Sequence, residues 1–508
     1  MALAPSSSPT SLLAVLKKYL TFIGPGVLVS VAYMDPGNYS TSVSSGAMYQ
    51  YKLLFMIAMS NIFAVFLQCL CIKLGTVTGL DLAEMCRLHL PYWANLPMYV
   101  FAELAIIATD LAEVVGTAIA LEILFGIPLL LGVLVTVLDV LVVLMAYHKD
   151  GSMKQTRIFE QLVSVLVLGT CVCFVAELYY CDFAPGSFKE IVRGFLPLDR
   201  QIFVERDALF LSCGIVGSTV MPHSLYLGSA LVQPRLKDYD VQHGIIDEAD
   251  LATEDDDDHQ PDSLPVTASK FRSFSDGTTL TSKYKPSFRA INYCLNYSYT
   301  ELVLSLFIIA VFVNSAILIV AGCTLYGKPD AEDADLLSIY HMLSYYISPG
   351  AGLLFAISML FAGQSAGIVC TMSGQIISEG FINWSVKPWV RRIITRTLAI
   401  IPVVIVIGTL GREGVAKVMN SSQVVLSFIL PIVSAPLIYF TCSKKYMTVI
   451  DTSAASDTQP LLQSSSEGAK KYTFENGTFL RVGSVLTWII ITFLNGYLLW
   501  AFAHGAQI

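Results

Sequence analysis

Long apolar stretches recur along the whole chain, and they constrain its fold more than any other feature. An α-helix needs about 20 apolar residues to cross the hydrocarbon core of a bilayer. Only 14% of the 508 residues are charged, whereas soluble proteins carry about 25%. This composition excludes a soluble enzyme, a nucleic-acid-binding protein and a disordered scaffold. We predict an all-α membrane protein with about eleven transmembrane helices, at residues 22–45, 53–75, 97–122, 128–147, 157–179, 207–232, 297–322, 350–378, 392–410, 419–441 and 482–503.

The loop charges predict the orientation of the chain. Lys and Arg cluster in alternate short loops, and such clusters favour the cytosolic side of a membrane. We therefore expect a cytosolic N-terminal tail at 1–21, a luminal loop at 180–206 and a luminal C-terminus after the eleventh helix, 482–503. Two cytosolic loops, 236–290 and 442–481, contain acidic or small polar stretches with the composition of disordered segments.

The first predicted span is interrupted by Asp35, Pro36, Gly37 and Asn38. A charged residue near the bilayer centre costs about 2.5–3.5 kcal/mol on insertion scales. Proline and glycine weaken the helix at the same point. Unwound backbone is tolerated at this depth only beside a protein cavity, so we predict a broken helix that exposes carbonyl groups. The alternative is a proline kink with a hydrogen-bonded Asp.

The sixth predicted span carries a second interruption, at Met221, Pro222 and His223. Breaks five spans apart predict an inverted repeat of spans one to five, 22–179, and six to ten, 207–441, with a substrate site between the breaks. Asp35, Asn38 and freed carbonyls would supply oxygen ligands, and Met221 a sulfur. This mixture favours transition metals over calcium or magnesium. Considered alone, however, Met221 is equally compatible with ordinary core packing.

Further ionisable residues lie inside the predicted spans. Asp110 and Glu113 share one face of the third span, and Arg396 lies in the ninth. With Asp35 and His223 they could form a proton route to the cytosol, or the acids could pair statically with Arg396. Gln423, at the start of the tenth span, could reach the central site or could bond neighbouring helices.

The two interruptions together resemble those of the Nramp family of proton-coupled divalent metal transporters, and 363–380 is similar to a signature of that family. The resemblance implies a LeuT-like fold and metal ligation by Asp35, Asn38, Met221 and the backbone carbonyl of Ser218. It also implies that Gln423 completes the site. The implied proton pathway comprises His223, Asp110, Glu113 and the ninth-span arginines, Arg392 and Arg396. The expected substrates are Fe²⁺ or Mn²⁺ and protons, with no cofactor and no enzymatic activity.

The location of the protein is predicted from one further motif. Asp457, Leu461 and Leu462 fit the acidic dileucine pattern read by coat adaptors. The stretches 22–26 and 108–113 are especially similar to the fungal members of the family, and among these the sequence resembles a vacuolar-membrane transporter. We expect a fungal vacuolar membrane, with bilayer lipid, metal ions, protons and a coat adaptor as partners and no nucleic acid. Alternatives are manganese uptake at the plasma or endosomal membrane, a LeuT-fold carrier of organic solutes and a non-transporting metal sensor.

Overall fold

The computed structural model describes residues 29–136, 153–181, 183–245, 285–328, 336–382, 388–411, 413–451 and 470–504. The first half of this part of the chain contains helices α1 Pro36–Tyr49, α2 Leu54–Thr78, α3 Leu82–His89, α4 Tyr92–Phe125, α5 Met153–Tyr180, α6 Ser187–Gly194 and α7 Gln201–Val204. The second half contains α8 Arg206–Thr219, α9 Pro222–Ala230, α10 Gln233–Gln242, α11 Phe288–Ser305, a π-helical turn Leu306–Ala310, α12 Val311–Thr324, α13 Leu336–Tyr346, α14 Pro349–Ile382, α15 Pro388–Leu410, α16 Glu413–Cys442 and α17 Thr478–Ala503.

Eight helical stretches in the described part are long and apolar enough to cross a membrane. A ninth apolar helix, Ile393–Thr409, lies within α15. Of the predicted spans, the first and the fourth lie partly outside the described residues. The helical membrane architecture predicted from the sequence is confirmed, and the protein is an integral membrane protein.

The first span is broken where the sequence predicted. Residues 29–31 are helical, residues 32–35 are not, and α1 begins at Pro36. Proline suits the first position of a helix because its missing N–H would be unpaired there anyway. The carbonyl of Tyr33, freed by the break, accepts a hydrogen bond of 3.1 Å from the amide of Asn314 on α12. A neighbouring helix thus satisfies backbone that water cannot reach.

The sixth span repeats this arrangement. Helix α8 ends at Thr219, and α9 starts at Pro222, again with proline at the first helical position. The buried amide of Gln68 on α2 donates to both the carbonyl and the hydroxyl of Ser224, at 3.1 and 3.0 Å. The two breaks are therefore built alike, as the predicted inverted repeat and LeuT-like fold require.

Glycines let neighbouring helices approach the first break closely. A Cβ on Gly116 of α4 would lie 2.2 Å from the Cβ of Pro36, and one on Gly363 of α14 would lie 2.4 Å from the hydroxyl of Thr117. Helices α4 and α14 therefore pack directly on the start of α1. This packing fixes the broken helix in the middle of the protein.

The structure corrects both ends of the predicted disordered loop 236–290. Helix α10 continues to Gln242, and Lys285 begins the next described segment, which leads into α11. Arg235 on α10 pairs with Glu301 on α11 at 2.6 Å, and Asp240 accepts a hydrogen bond of 3.0 Å from the backbone N–H of Ser287. These contacts order both ends, whereas the acidic run at 254–258 lies outside the described residues.

The predicted cytosolic loop 442–481 is corrected in the same way. Strands β1, Thr448–Asp451, and β2, Lys470–Thr473, pair antiparallel, with Val449 opposite Tyr472. The Tyr472 ring stacks on Phe288 with centroids 4.1 Å apart. The small polar residues of this loop have the composition of a disordered segment, but the β-branched residues at 448–450 favour a strand. The sorting residues Asp457, Leu461 and Leu462 lie outside the described residues.

Candidate metal site

The candidate site begins with Asp35, which caps helix α1 with its own side chain. One carboxylate oxygen accepts the N–H of Gly37 at 3.0 Å. The other accepts the N–H of Asn38 at 3.1 Å and the side-chain amide of Asn38 at 2.6 Å. The residue is fully buried. Three N–H donors and the positive end of the helix dipole therefore satisfy an acidic group that the membrane would otherwise disfavour.

The amide of Asn38 connects the two breaks. Its Nδ2 donates to Asp35 Oδ1 at 2.6 Å and to the backbone carbonyl of Ser218 on α8 at 2.9 Å. The Ser218 hydroxyl lies 3.3 Å from the hydroxyl of Thr41, which also donates to the carbonyl of Gly37. An oxygen from each break thus points at the same small, electropositive NH₂ group. A cation in this position would be attracted by both oxygens.

Gln423 on α16 is wedged between the two breaks. A Cβ on Gly37 would lie 2.3 Å from Gln423 Nε2, and one on Gly217 would lie 1.9 Å from the Gln423 carbonyl oxygen. The residue is fully buried, and its side-chain oxygen has no hydrogen-bond partner among the described residues. An unpaired buried carbonyl is costly, and an ion ligated by this oxygen would offset the cost. The position fits the predicted central role better than simple bonding between helices.

Met221 and His223 lie on either side of Pro222 at the second break. Met221 precedes the first residue of α9, and its side chain makes no capping hydrogen bond. It is fully buried, and its carbonyl accepts the hydroxyl of Ser224 at 2.7 Å. His223 is 1% exposed, with Nδ1 3.4 Å from the hydroxyl of Thr109 on α4. Thr109 directly precedes Asp110, so His223 adjoins the acidic face of α4.

The acids of α4 meet Arg396 of α15 inside the protein. Arg396 lies 2.8 Å from Glu113 Oε1 and 3.5 Å from Asp110 Oδ1, and all three residues are at most 2% exposed. The guanidinium also contacts the Asp110 carbonyl at 3.4 Å. This ion pairing is the static alternative predicted from the sequence. The predicted proton-route residues Asp110 and Glu113 share α4, and His223 of α9 adjoins that helix at Thr109.

A thiol completes the acidic cluster. Cys370 on α14 lies within 4.8 Å of carboxylate oxygens of Asp110 and Glu113, a spacing that could hold a metal ion. The Arg396 guanidinium already supplies positive charge there. We therefore keep the metal site at the helix breaks and not at this cluster. Near the start of α15, Arg391 pairs with Glu103 at 2.5 Å, whereas the Arg392 side chain lies outside the described part.

Sequence reasoning missed the amides that hold the breaks open. Asn314 bonds the freed carbonyl of Tyr33, and Gln68 bonds Ser224 in the first turn of α9. Asn420 on α16 contacts the hydroxyls of Ser40 and Ser44 on α1. The available signal was a lone amide in an otherwise apolar span, which is typical of a bond between membrane helices. The partner cannot be read from such a residue, because contacts across the bundle depend on the tertiary fold.

Comparison with known proteins agrees with this geometry. Residues 26–458 match the family Nramp, natural resistance-associated macrophage protein-like. The chain is 54% identical to the iron transporter SMF3 of Saccharomyces cerevisiae, over 98% of this chain and 99% of that one. It is 46% identical to the manganese transporter SMF1 of the same yeast, over 95% and 85%.

Solved structures extend the comparison to the fold. A manganese transporter of Eremococcus coleocola superposes with a TM-score of 0.73 at 29% identity, over 100% of this chain and 93% of that one. The likeness covers both helix breaks and the helices around them, and the predicted LeuT-like fold is confirmed. The chain therefore belongs to the Nramp family, whose members are transporters and not enzymes.

Proposed function

We propose that this protein is a proton-coupled symporter that moves Fe²⁺ or Mn²⁺ into the cytosol. The observation that carries the proposal is the position of the Asn38 amide, which bridges Asp35 Oδ1 and the Ser218 carbonyl at 2.6 and 2.9 Å. Two oxygens from two broken helices converge on one electropositive group. A divalent ion would take the place of the amide hydrogens, and rotation of the amide would present its oxygen as a further ligand.

The chemistry of the surrounding groups supports a transition metal. Asp35 offers the one carboxylate, Asn38 and Gln423 offer amide oxygens, Ser218 a carbonyl and Met221 a thioether. Hard oxygen ligands alone suit calcium and magnesium, and the thioether shifts the preference to softer ions. The names of the yeast relatives, an iron transporter and a manganese transporter, agree with this preference.

Proton coupling is supported by the buried groups on α4 and α9. His223 lies 3.4 Å from Thr109 on α4. Asp110 and Glu113 follow Thr109 on α4 and pair with Arg396 of α15. A histidine next to buried acids is suited to pass protons near neutral pH. We propose that a proton bound at Asp35 or His223 leaves through Asp110 and Glu113, with Arg392 and Arg396 at the cytosolic end.

Entry into the cytosol from an acidic vacuole follows from the predicted orientation and the dileucine pattern. We propose that Asp457, Leu461 and Leu462 bind a coat adaptor and direct the protein to the vacuolar membrane. Replacing both leucines with alanine should then move a fluorescently tagged protein to the cell surface. Unchanged vacuolar fluorescence of the variant would remove the sorting role, and cell-surface fluorescence of the wild type would remove the vacuolar location.

The deciding experiment is metal uptake into proteoliposomes that contain an internal pH dye. Proteoliposomes with wild-type protein should take up Mn²⁺ and become acidic inside, and those with Asp35→Ala should lose both signals. Asp199→Ala is the matched control, because Asp199 forms only a surface pair with Lys52 at 3.7 Å. Uptake without acidification would refute the proton coupling. Absence of Mn²⁺ uptake by folded wild-type protein would refute metal transport itself.

A further inference from the structure

A further buried acidic residue, Glu177, lies apart from the proposed metal site and proton route. Glu177 is in the last turn of α5, at 0% exposure. Both of its carboxyl oxygens are buried and have no hydrogen-bond partner among the described residues. Asp110 and Glu113, in contrast, share the guanidinium of Arg396. The proposed transport route therefore assigns no role to Glu177.

In the described part of the chain, Glu177 lies in a cavity wall of otherwise apolar side chains. It borders a cavity of about 10 Å³, close to the space that one water molecule needs. The cavity is formed by α1, α5, α12, α13 and α14, through side chains that include Val43, Val320, Leu343 and Phe355. Among the described residues, the titratable groups near Glu177 are the Tyr39 hydroxyl of α1 and the thiols of Cys173 and Cys181 near the end of its own helix. All of these are neutral at ordinary pH.

Burial without a partner determines the charge of this carboxyl. An isolated carboxylate in an apolar interior costs several kcal/mol, and proteins avoid this by keeping the group protonated. The side chain therefore carries a proton in the arrangement described here. It would ionise only if water or a cation reached it.

The position of Glu177 lies between the metal site and one membrane face. Tyr39 follows Asn38 directly and packs against Phe174, one turn before Glu177, with ring centroids 5.4 Å apart. Helix α5 ends three residues later, on the face where Gly194 meets the Tyr51 backbone and Gly322 meets the Gln50 carbonyl. We call this the luminal face, following the orientation predicted from the loops. Side chains of α13 and of the second half of α12 line the cavity beside Glu177.

We propose that Glu177 is a proton-binding residue of the luminal gate, protonated while α1, α5, α12 and α13 close over it and ionised when they separate. The inference rests on the proposed symport and adds a gating residue to it. Since the closed form holds one more proton than the open form, acid on the luminal side favours closure and alkali favours opening. Proton uptake from an acidic lumen would thus help to close the gate behind an incoming metal ion.

The test measures opening directly, without reference to transport. Val320→Cys places a thiol in the cavity wall, and a membrane-impermeant maleimide is applied from the luminal face in proteoliposomes. The labelling rate of the Val320→Cys variant is divided by the rate of a Phe188→Cys variant, since Phe188 is exposed on α6. This ratio removes the pH dependence of thiol reactivity itself. A sample without introduced cysteines gives the background from native thiols.

We expect this ratio to rise about fivefold from about pH 5 to about pH 7.5 with Glu177 present. With Glu177→Gln, which is neutral at every pH, the ratio should stay low and flat. Glu190→Gln, an exposed change on the same face, should behave like the parent protein. If Glu177→Gln does not fold, Glu177→Asp serves instead, and its ratio should still rise with pH.

Two outcomes would overturn the inference: the same pH dependence in Glu177→Gln as in the parent, or no pH dependence in the parent. Either could occur while the wild type still moves Mn²⁺ with protons. Failure of the gate assignment is therefore distinguishable from failure of the proposed symport, which the uptake assay tests separately.

Discussion

The two helix breaks have a similar backbone arrangement but differ in the chemistry of the residue at the capping position. Each has a short non-helical segment followed by a helix with proline at its first position, and each is held by an amide from another helix. At the first break, Asp35 caps the new helix with both carboxylate oxygens. At the second, Met221 stands in the capping position and makes no side-chain hydrogen bond.

This difference separates the architecture of the breaks from the selectivity of the site. A capping carboxylate stabilises α1 by itself, so the first break would form without any ion. The Met221 side chain makes no capping hydrogen bond at the start of α9, so capping does not explain a methionine there. In the proposed metal site, the first break would therefore supply charge and the second would supply discrimination between ions.

The largest expected effect comes from removing charge at the first break while keeping the cap. Asparagine caps helices about as well as aspartate does, so Asp35→Asn should change the free energy of unfolding by less than about 1 kcal/mol. Mn²⁺ uptake should nevertheless fall by at least about 100-fold, since a divalent ion loses its one fixed negative ligand. Uptake in proteoliposomes and thermal unfolding in detergent measure the two quantities.

Asp35→Ala is the companion variant, because it loses both the charge and the cap. It should match Asp35→Asn in uptake and be less stable by about 1 kcal/mol. Near-normal uptake by Asp35→Asn would mean that Asp35 acts as a helix cap and not as a ligand. The proposed difference between the two breaks would then disappear.

A smaller effect is expected at the second break from Met221→Leu. Leucine keeps nearly the same volume and removes the sulfur. Uptake of Ca²⁺ relative to Mn²⁺ should rise about tenfold, because the remaining ligands are hard oxygens. Competition between the two ions in the uptake assay gives this ratio.

The matched control is Met34→Leu, since Met34 is equally buried and directly precedes Asp35 at the first break. We expect the ion preference of this variant to be unchanged. Equal changes in both variants would point to altered packing, and an unchanged ratio in Met221→Leu would remove the thioether from the selectivity of the site.

These breaks also show how far the sequence can be read. The helix breaks at Asp35-Pro36 and Met221-Pro222 could be located from the sequence, because a proline or a charged residue inside an apolar span is unusual without a structural or functional reason. The convergence of Asn38 on the Ser218 carbonyl could not be derived from spacing, since the two residues are 180 positions apart. Family resemblance supplied that pairing. The contacts of Gln68 and Asn314, and the isolation of Glu177, depend on helix packing, which one sequence does not reveal.

The smallest effect is expected at Gln423, a residue of α16 that lies against both breaks. Its side chain lies against Gly37, its carbonyl lies against Gly217, and its Oε1 has no hydrogen-bond partner among the described residues. Gln423→Leu removes this unpaired acceptor and changes the volume little, so stability should stay the same or rise by about 1 kcal/mol. The KM for Mn²⁺ should increase about threefold to fivefold, because an oxygen that completes the ion's coordination is lost.

Opposite signs in stability and affinity identify the role of Gln423. A residue that only joins helices would lose stability on substitution, and its KM would follow from the damaged fold. A residue that ligates the ion leaves an unpaired oxygen when the site is empty. Its removal therefore stabilises the folded protein and weakens the binding of the ion. Lower stability together with an unchanged KM would assign Gln423 to packing, and the metal site would then consist only of groups from the two breaks.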